Sequence, residues 1–592
     1  MQHKYIYLLC LLALSTTAFA QQDTTVVDRT VYVTRDFQPT VESAGKISVK
    51  PQIFEPEIRP RDPQYSTYSS PLQLDYTMNK LDFSVLNFRQ PKPYRGYLEA
   101  GAGHVNSLFL FNYRITDADM QTGKKRVRND LFLDLHAKHQ GQWGRKALSE
   151  SCLGLDFSKT FHKAELYAGA EGEHEFFTRY GHYYDPLQTA LSIERYKDID
   201  KAFRQQVWQV NTKLGVRSIE DADTKFAIQA GYEAFIVPEL ATEHIIHTAG
   251  MFDWKRNYYH VGAVLDMENR LYSKTDTSML IPSNHRIHLE PYFAYEVGKW
   301  HIHAGVNIDF SVNKGKIPGV SPNLDFEYAI TKNWLAAYAN VTGRYNANGA
   351  RGEYRENRYL QAPLLFTDTC SGEYVPVDLE VGLKVRPYAT LSINLHAGYM
   401  AQIDKHTNVF FETSGKGVDP LNAGTFRHMV QDASVWKIGA DIHYHFRDIV
   451  NVNLSGNYYS AKAVSSLPIA GGTLDNTYFD APSWTVRARI DGKINQKWSL
   501  YTDNHFAGGM KACVYAPVTR TPGMEPQPDY RVESLRPMID LNLGLKYEIN
   551  KWVSVYAELN NYLAWTDKLS YSTYYGYEAQ RANCMFGLSW IF

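Results

Sequence analysis

Residues 548–562 read EINKWVSVYAELNNY: a polar Asn-Lys knot, a tryptophan, then a run in which apolar and polar residues alternate. A relative of this unit, KINQKWSLYTDN, occupies residues 493–504. Strict alternation is the signature of a β-strand with one apolar face, and a short polar knot between two such runs reads as a hairpin turn. In 552–560 the pattern sets Val553, Val555, Ala557 and Leu559 on one face and Ser554, Tyr556, Glu558 and Asn560 on the other. The same unit recurs along the chain. Short turns between alternating runs fall near residues 162, 222, 257, 298, 332, 387, 447, 496 and 550, and between them lie longer connections at 182–205, 347–373, 405–433, 464–482 and 514–532. Alternation is clearest in VNVNLSGN (450–457), LSINLHA (391–397), IDLNLGLK (539–546) and LFLDLHAK (131–138).

Counting such runs gives about 22 strands between residues 94 and 592. Short turns on one rim and long connections on the other are how outer-membrane barrels are built, with the short turns in the periplasm. The fold expected is therefore all-β: a transmembrane antiparallel β-barrel of about 22 strands with long extracellular loops. An even count puts both ends of the barrel on the periplasmic side, and the short turns then fall between even-numbered strands and the odd-numbered strands that follow, as they must.

Composition agrees. Aromatic residues make up 14% of the chain, with 42 Tyr, yet mean hydropathy is -0.39, and no apolar run after the first residues is long enough for a transmembrane helix. Abundant apolar residues that never run together suit strands with lipid on one side and a polar lumen on the other. The net charge of -1 points away from nucleic acid.

Residues 1–20 read as a secretory signal peptide: Lys4, an apolar stretch from Ile6 to Leu14, and an Ala18-Phe19-Ala20 cleavage site. Residues 21–93 hold eight of the 25 prolines, at 39, 51, 56, 60, 63, 71, 91 and 93. Proline at this density denies ladder hydrogen bonds and favours extended chain, so this is expected to be an extended segment in the periplasm or entering the lumen. Residues 94–592 form the barrel. Four cysteines follow the signal, Cys152, Cys370, Cys513 and Cys584, with no metal-binding spacing; one loop disulfide, Cys370 to Cys513, stays open.

The face opposite the apolar one lists the lumen candidates: His301, His303, Asp309, His443, His445, Arg487, Arg489 and Asp491 among them. Each His-x-His pair sets two imidazoles on one strand face at about 7 Å, a metal-capable spacing only if a third ligand such as Asp309 or Asp441 comes close. The expectation for them is a wet lumen wall, with no metal and no cofactor. No GxSxG, HExxH or phosphate-binding loop occurs, so no enzyme is expected.

Taken together, the signal peptide, the alternating strands, the Asn-Lys-Trp turns and the ending GLSWIF, with Gly587, Trp590 and Phe592, resemble the barrel of TonB-dependent outer-membrane receptors of the kind abundant in Bacteroidota. Residues 33–53, VTRDFQPTVESAGKISVKPQI, are similar to the start of receptor-like barrels of that phylum. Near the new N-terminus, Thr25, Val26 and Val27 and then Thr30, Val31, Tyr32 and Val33 resemble the short box that such receptors offer as an added strand to TonB in the periplasm. The resemblance implies a location in the outer membrane of a Gram-negative bacterium, contact with its lipid and lipopolysaccharide, insertion by the barrel-assembly machinery, and a TonB-like or other periplasmic partner. One departure stands out: only about 73 residues lie between the signal and the first strand, with no plug-like run of strands, whereas a barrel of this size leaves a wide lumen. Either the N-terminal segment and long loops fold inward, or the barrel works with a partner. Receptor-like or porin-like passage of a solute is the function favoured by the polar lumen; the alternative is a structural component that docks partners through its N-terminal segment.

Overall fold

A computed structural model describes residues 95–592, except 117–130, 182–203, 219–223, 275–282, 313–318, 362–371, 412–423, 516–529, 566–570 and positions 145, 162, 239, 332–333, 448, 464–465, 470–471 and 476. The segment 21–93, its TonB-box-like residues and Cys370 thus lie outside the described residues. Twenty-two antiparallel strands run from Gly96–Gly103 to Asn583–Ile591, each paired with its sequence neighbour along the wall. The ring closes where the first and last strands pair, from Tyr97 opposite Ile591 to Gly103 opposite Met585. Gly96 and Phe592 exchange backbone hydrogen bonds of 2.7 and 2.9 Å at the seam. Closure removes every free edge from the wall, which a chain in lipid requires because no water is there to satisfy one.

The nine short turns each join two antiparallel neighbours; the one expected at 386–389 lies two residues later, after Tyr388. They share a rim with both ends of the barrel, which is the periplasmic rim. The opening stretch shows why the knot carries asparagine. The side-chain oxygen of Asn550 accepts from the backbone N–H groups of Trp552 and Val553, both at 2.8 Å, and Asn495 does the same for Lys497 and Trp498 at 2.8 and 2.9 Å. A turn too tight to pair its own backbone is thus satisfied by one side chain.

The two faces separate as the alternation requires. Ser554, Tyr556 and Glu558 are buried toward the lumen, whereas Leu559 faces outward. All eleven tryptophans are exposed, the reverse of a soluble core. Trp254, Trp300, Trp334, Trp498, Trp552 and Trp590 lie beside the periplasmic turns or the C-terminus, where an aromatic girdle meets the lipid headgroups. Across the lumen face, tyrosines lie over glycines of the next strand. The Tyr501 ring fills the space that a Cβ on Gly544 would need, and Tyr556 does the same at Gly587, so the glycine of the C-terminal GLSWIF serves the lumen side while Phe586, Leu588 and Trp590 face lipid.

Two runs end differently from the sequence reading. The strands expected at 498–513 and 533–549 are each broken: Trp498–Gly508 and Met538–Glu548 belong to the wall, while Lys511–Tyr515 and Tyr530–Ser534 form a separate hairpin. Gly509, at φ +75°, turns the chain there. The hairpin returns to the ring and pairs in parallel with the Leu391–Phe411 strand, Val409 opposite Cys513. The supposed connection at 405–433 is largely sheet as well, since Leu391–Phe411 and Phe426–Phe446 are 21-residue strands paired out to Phe410 opposite Phe426. The alternation disappears in this extension because both faces are covered: Val409 and Phe410 are neighbours and both are buried. Strands buried on both sides carry no period of two.

Candidate functional site

Beyond Asn346 the chain folds inward. A short helix, α1 (Ala350–Glu356), and residues 357–361 pack against Phe177, Val207, Phe235, Val237 and Ala241 on one side and Phe410 and Phe426 on the other. These belong to the fifth to eighth and the fifteenth and sixteenth strands of a ring of 22, nearly half a circumference apart. The segment therefore crosses the lumen at its outer end. We call it the lid.

Four attachments hold it. Glu243, on the wall and fully buried, accepts from the backbone N–H groups of Ala350 at 3.2 Å and Arg351 at 2.9 Å, satisfying the first turn of a helix too short to be stable alone. Arg351 pairs with Glu233 and donates to Gln209. Glu353 lies between His406 and His428. Arg358 reaches Glu150 at 3.0 Å and Glu175 at 2.7 Å. Burial works against the Arg358 charge, but these two carboxylates outweigh it and hold its pKa above the usual arginine range. Burial likewise opposes the charge on Glu353, yet the two imidazoles hold its carboxyl well below the ordinary range. Backbone pairing adds to this: Gln361 N–H donates to the Phe426 carbonyl and Phe426 N–H to that of Tyr359.

Aromatic rings seal the junction. Tyr359 stacks on Tyr577 at 3.7 Å, Tyr180 meets Tyr577 edge-on, and the Tyr577 hydroxyl donates to the Gly424 carbonyl at 2.6 Å. Bordering the lid is a cavity of about 1180 Å³ whose far wall carries Arg487, Asp540, Asn542, Glu558 and Asn583. Carboxamides are common along it, including Asn106, Gln140, Gln402, Asn408, Asn560 and Asn561. Such a lining offers donors and acceptors to a polar guest without a dominant charge. Glu356 is exposed to this cavity; the loss of bulk water around it inside the barrel, then the charges of Glu353 and Glu373, push its carboxyl up to about 7.

The lumen residues named from the sequence are distributed around the wall. His301 and His303 pair with Glu296 at 3.2 Å and Glu290 at 3.6 Å. Asp309, fully buried, receives hydrogen bonds from Arg286 at 3.1 Å and is held at 2.9 Å by His288, and so is not a third ligand for either pair. His443 lies 2.7 Å from the Asn453 side-chain oxygen, and it and His445 are exposed toward the periplasmic end. Arg487 forks onto Asp503 at 2.8 and 3.2 Å and Arg489 onto Asp491 at 3.1 and 3.2 Å; of these residues only Arg487 borders the cavity. Cys513 is a buried thiol; Cys370, the partner suggested for it, lies outside the described residues. The histidines that converge are others, His406 and His428, which the sequence reading left inside a supposed loop; the only cue was a cluster of Arg, Glu and Tyr in ARGEYRENRY (350–359), unusual for an exposed connection.

No protein-family model and no curated protein sequence matches the chain. Solved structures do match its fold. The siderophore receptor PirA of Acinetobacter baumannii aligns with a TM-score of 0.57 at 9% identity, over 84% of this chain and 80% of that one. The ferric enterobactin receptor PfeA of Pseudomonas aeruginosa, solved as a mutant with enterobactin bound, aligns at 0.56 and 12% identity, over 84% and 81%. The ferric-catecholate import receptor Fiu of E. coli K12, in a closed form, gives 0.55 and 9%, over 84% and 82%. By fold the chain is thus a closed 22-stranded antiparallel barrel similar to those of outer-membrane receptors.

Proposed function

We propose that this barrel is a receptor-like transporter of the outer membrane, in which the lid closes the outer end of the lumen and the polar cavity beside it receives the solute. The observation that carries this is the lid itself. A loop that crosses the lumen and is fastened to opposite walls by ion pairs, those of Glu353 almost completely buried, is what a closure over a solute path requires. The cavity volume, about 1180 Å³, is somewhat larger than most small-molecule sites, about 300–1,000 Å³. Its carboxamide and tyrosine lining suits a hydroxyl- or amide-rich guest. Energised uptake would engage Thr25–Val27 and Thr30–Val33 with a TonB-like periplasmic partner, as the resemblance implies.

The test compares mature protein with a version lacking residues 21–90, in planar bilayers and in liposome-swelling assays. Solute flux through either form, or a large rise in conductance on truncation, supports transport. Silence from both, together with a periplasmic protein that co-purifies only when 21–90 is present, would favour the docking role and sink transport.

A further inference from the structure

The geometry points to a binding site for a divalent d-block cation, formed by Glu353, His406 and His428, that fastens the lid to the barrel wall. His406 and His428 stand on adjacent strands, His406 opposite Val430 and His428 opposite Asn408, which makes them a diagonal pair on one face. Their ring centroids are 5.1 Å apart. Glu353 enters between them from α1, one oxygen 2.7 Å from His406 Nδ1 and the other 2.5 Å from His428 Nε2. All three side chains are almost completely buried, at 1%, 2% and 5% exposure for Glu353, His406 and His428, and the three ligand atoms lie within 4.8 Å of one another.

The hydrogen bonding inside this cluster is incomplete. Neither ring nitrogen of His428 has a hydrogen-bond partner, and neither does the Glu353 oxygen beside it: the contact is close but poorly directed. A buried polar atom without a partner is costly, and the carboxylate leaves the His428 ring nitrogens unsatisfied. A dication bound between the three side chains would use those lone pairs. Two nitrogens and one oxygen are the donor set of zinc and its neighbours, at about 2.0–2.2 Å from the metal, whereas calcium and magnesium call for all-oxygen shells. His406 borders the cavity, so water there can fill a fourth position. The other three three-ligand groupings among the described residues are less suited. His136 lies in two of them, with Asp134 and Asp156, which already hold Arg114 and Lys213, and with Cys152 and Glu171, all three half-buried; His247 with Asp266 and Glu268 is likewise only half-buried. At the lid, by contrast, the ligands come from both the segment that crosses the lumen and the wall, so that bound metal cross-links them.

The full mature protein in detergent, stripped with chelator, is titrated with Co²⁺ followed by visible absorption and with Zn²⁺ followed by calorimetry. Saturable binding of one ion per chain, with the absorption of a nitrogen- and oxygen-ligated cobalt, is expected. H428A and E353Q should each weaken it at least roughly tenfold, and Zn²⁺ should slow tryptic nicking at Arg351 and Arg358 in the parent but not in H428A. Heat-modifiable electrophoretic migration reports that each variant has formed its barrel; if H428A does not insert, H428Q carries the comparison. No saturable binding, or binding kept by a H406A/H428A double variant, overturns the site.

Discussion

Replacing Glu243 by alanine should release the lid while leaving the barrel intact. The carboxylate accepts three hydrogen bonds, from Ala350 N–H, Arg351 N–H and the Tyr272 hydroxyl. The Tyr272 bond joins wall to wall and is lost whether the lid is open or closed. The two backbone bonds exist only in the closed form. Hydrogen bonds to a charged group contribute about 1.5–3 kcal/mol each, so the closed lid should lose about 3–6 kcal/mol, or roughly two to four decades in its closing equilibrium. A helix of seven residues cannot make good that loss by itself. Trypsin reads the effect. Arg351 and Arg358 are tied down when the lid is closed, and where opening is rapid, cleavage tracks the open population. Nicking at these two arginines should accelerate about a hundredfold in E243A, and less in E243Q, which keeps one acceptor. A rate within about threefold of the parent, in protein that still shows the heat-modifiable migration of a closed barrel, would refute the claim that Glu243 holds the lid; the threshold is well under one decade and thus under about 1.4 kcal/mol.

Two further substitutions test the wall. Gly544→Val should impair insertion or lower the unfolding midpoint, because the Tyr501 ring fills the space the new side chain needs and its hydroxyl is held by Glu558 at 2.8 Å; overpacking of this kind costs about 1–3 kcal/mol, and the double variant Tyr501→Ala/Gly544→Val should recover part of it in urea titrations in lipid vesicles. Asn550→Ala removes one acceptor from two backbone N–H groups at the exposed rim and should cost about 1 kcal/mol by the same titration, with unchanged conductance; a conductance change would mean that the periplasmic turns do more than cap strands.

The wall was legible because lipid imposes a rule on every residue that touches it. Val450–Ala463 and Trp484–Lys493 lie within two residues of where alternation puts them, at 449–463 and 483–495, since a strand with hydrocarbon on one side and polar contacts on the other must change character at each step. The Asn-Lys-Trp unit was readable for a related reason: a tight turn needs a side-chain acceptor, and the first residue of the next strand meets the headgroups. The outer ends escaped the same reading. Once Leu391–Phe411 rises past the lipid, its neighbours are the lid and the Lys511–Tyr515 hairpin, and the selection for alternation ends with the membrane.

The site was hidden for the opposite reason: it rests on sequence-distant partners. Glu243, Glu353, His406 and His428 converge from three wall strands and one connection, and no period relates them. Each taken singly is an unremarkable polar residue, Glu353 in a stretch that reads as exposed loop and the two histidines in a region without alternation. What distinguishes them is burial of charge, which only the closed ring reveals. A carboxylate kept ionised at the outer mouth of a membrane barrel, with two imidazoles around it, must do something to justify its desolvation. The described geometry offers one reason: the attachment it makes ties the segment that crosses the lumen to the wall, and under the proposed function its strength would set how often the lumen opens.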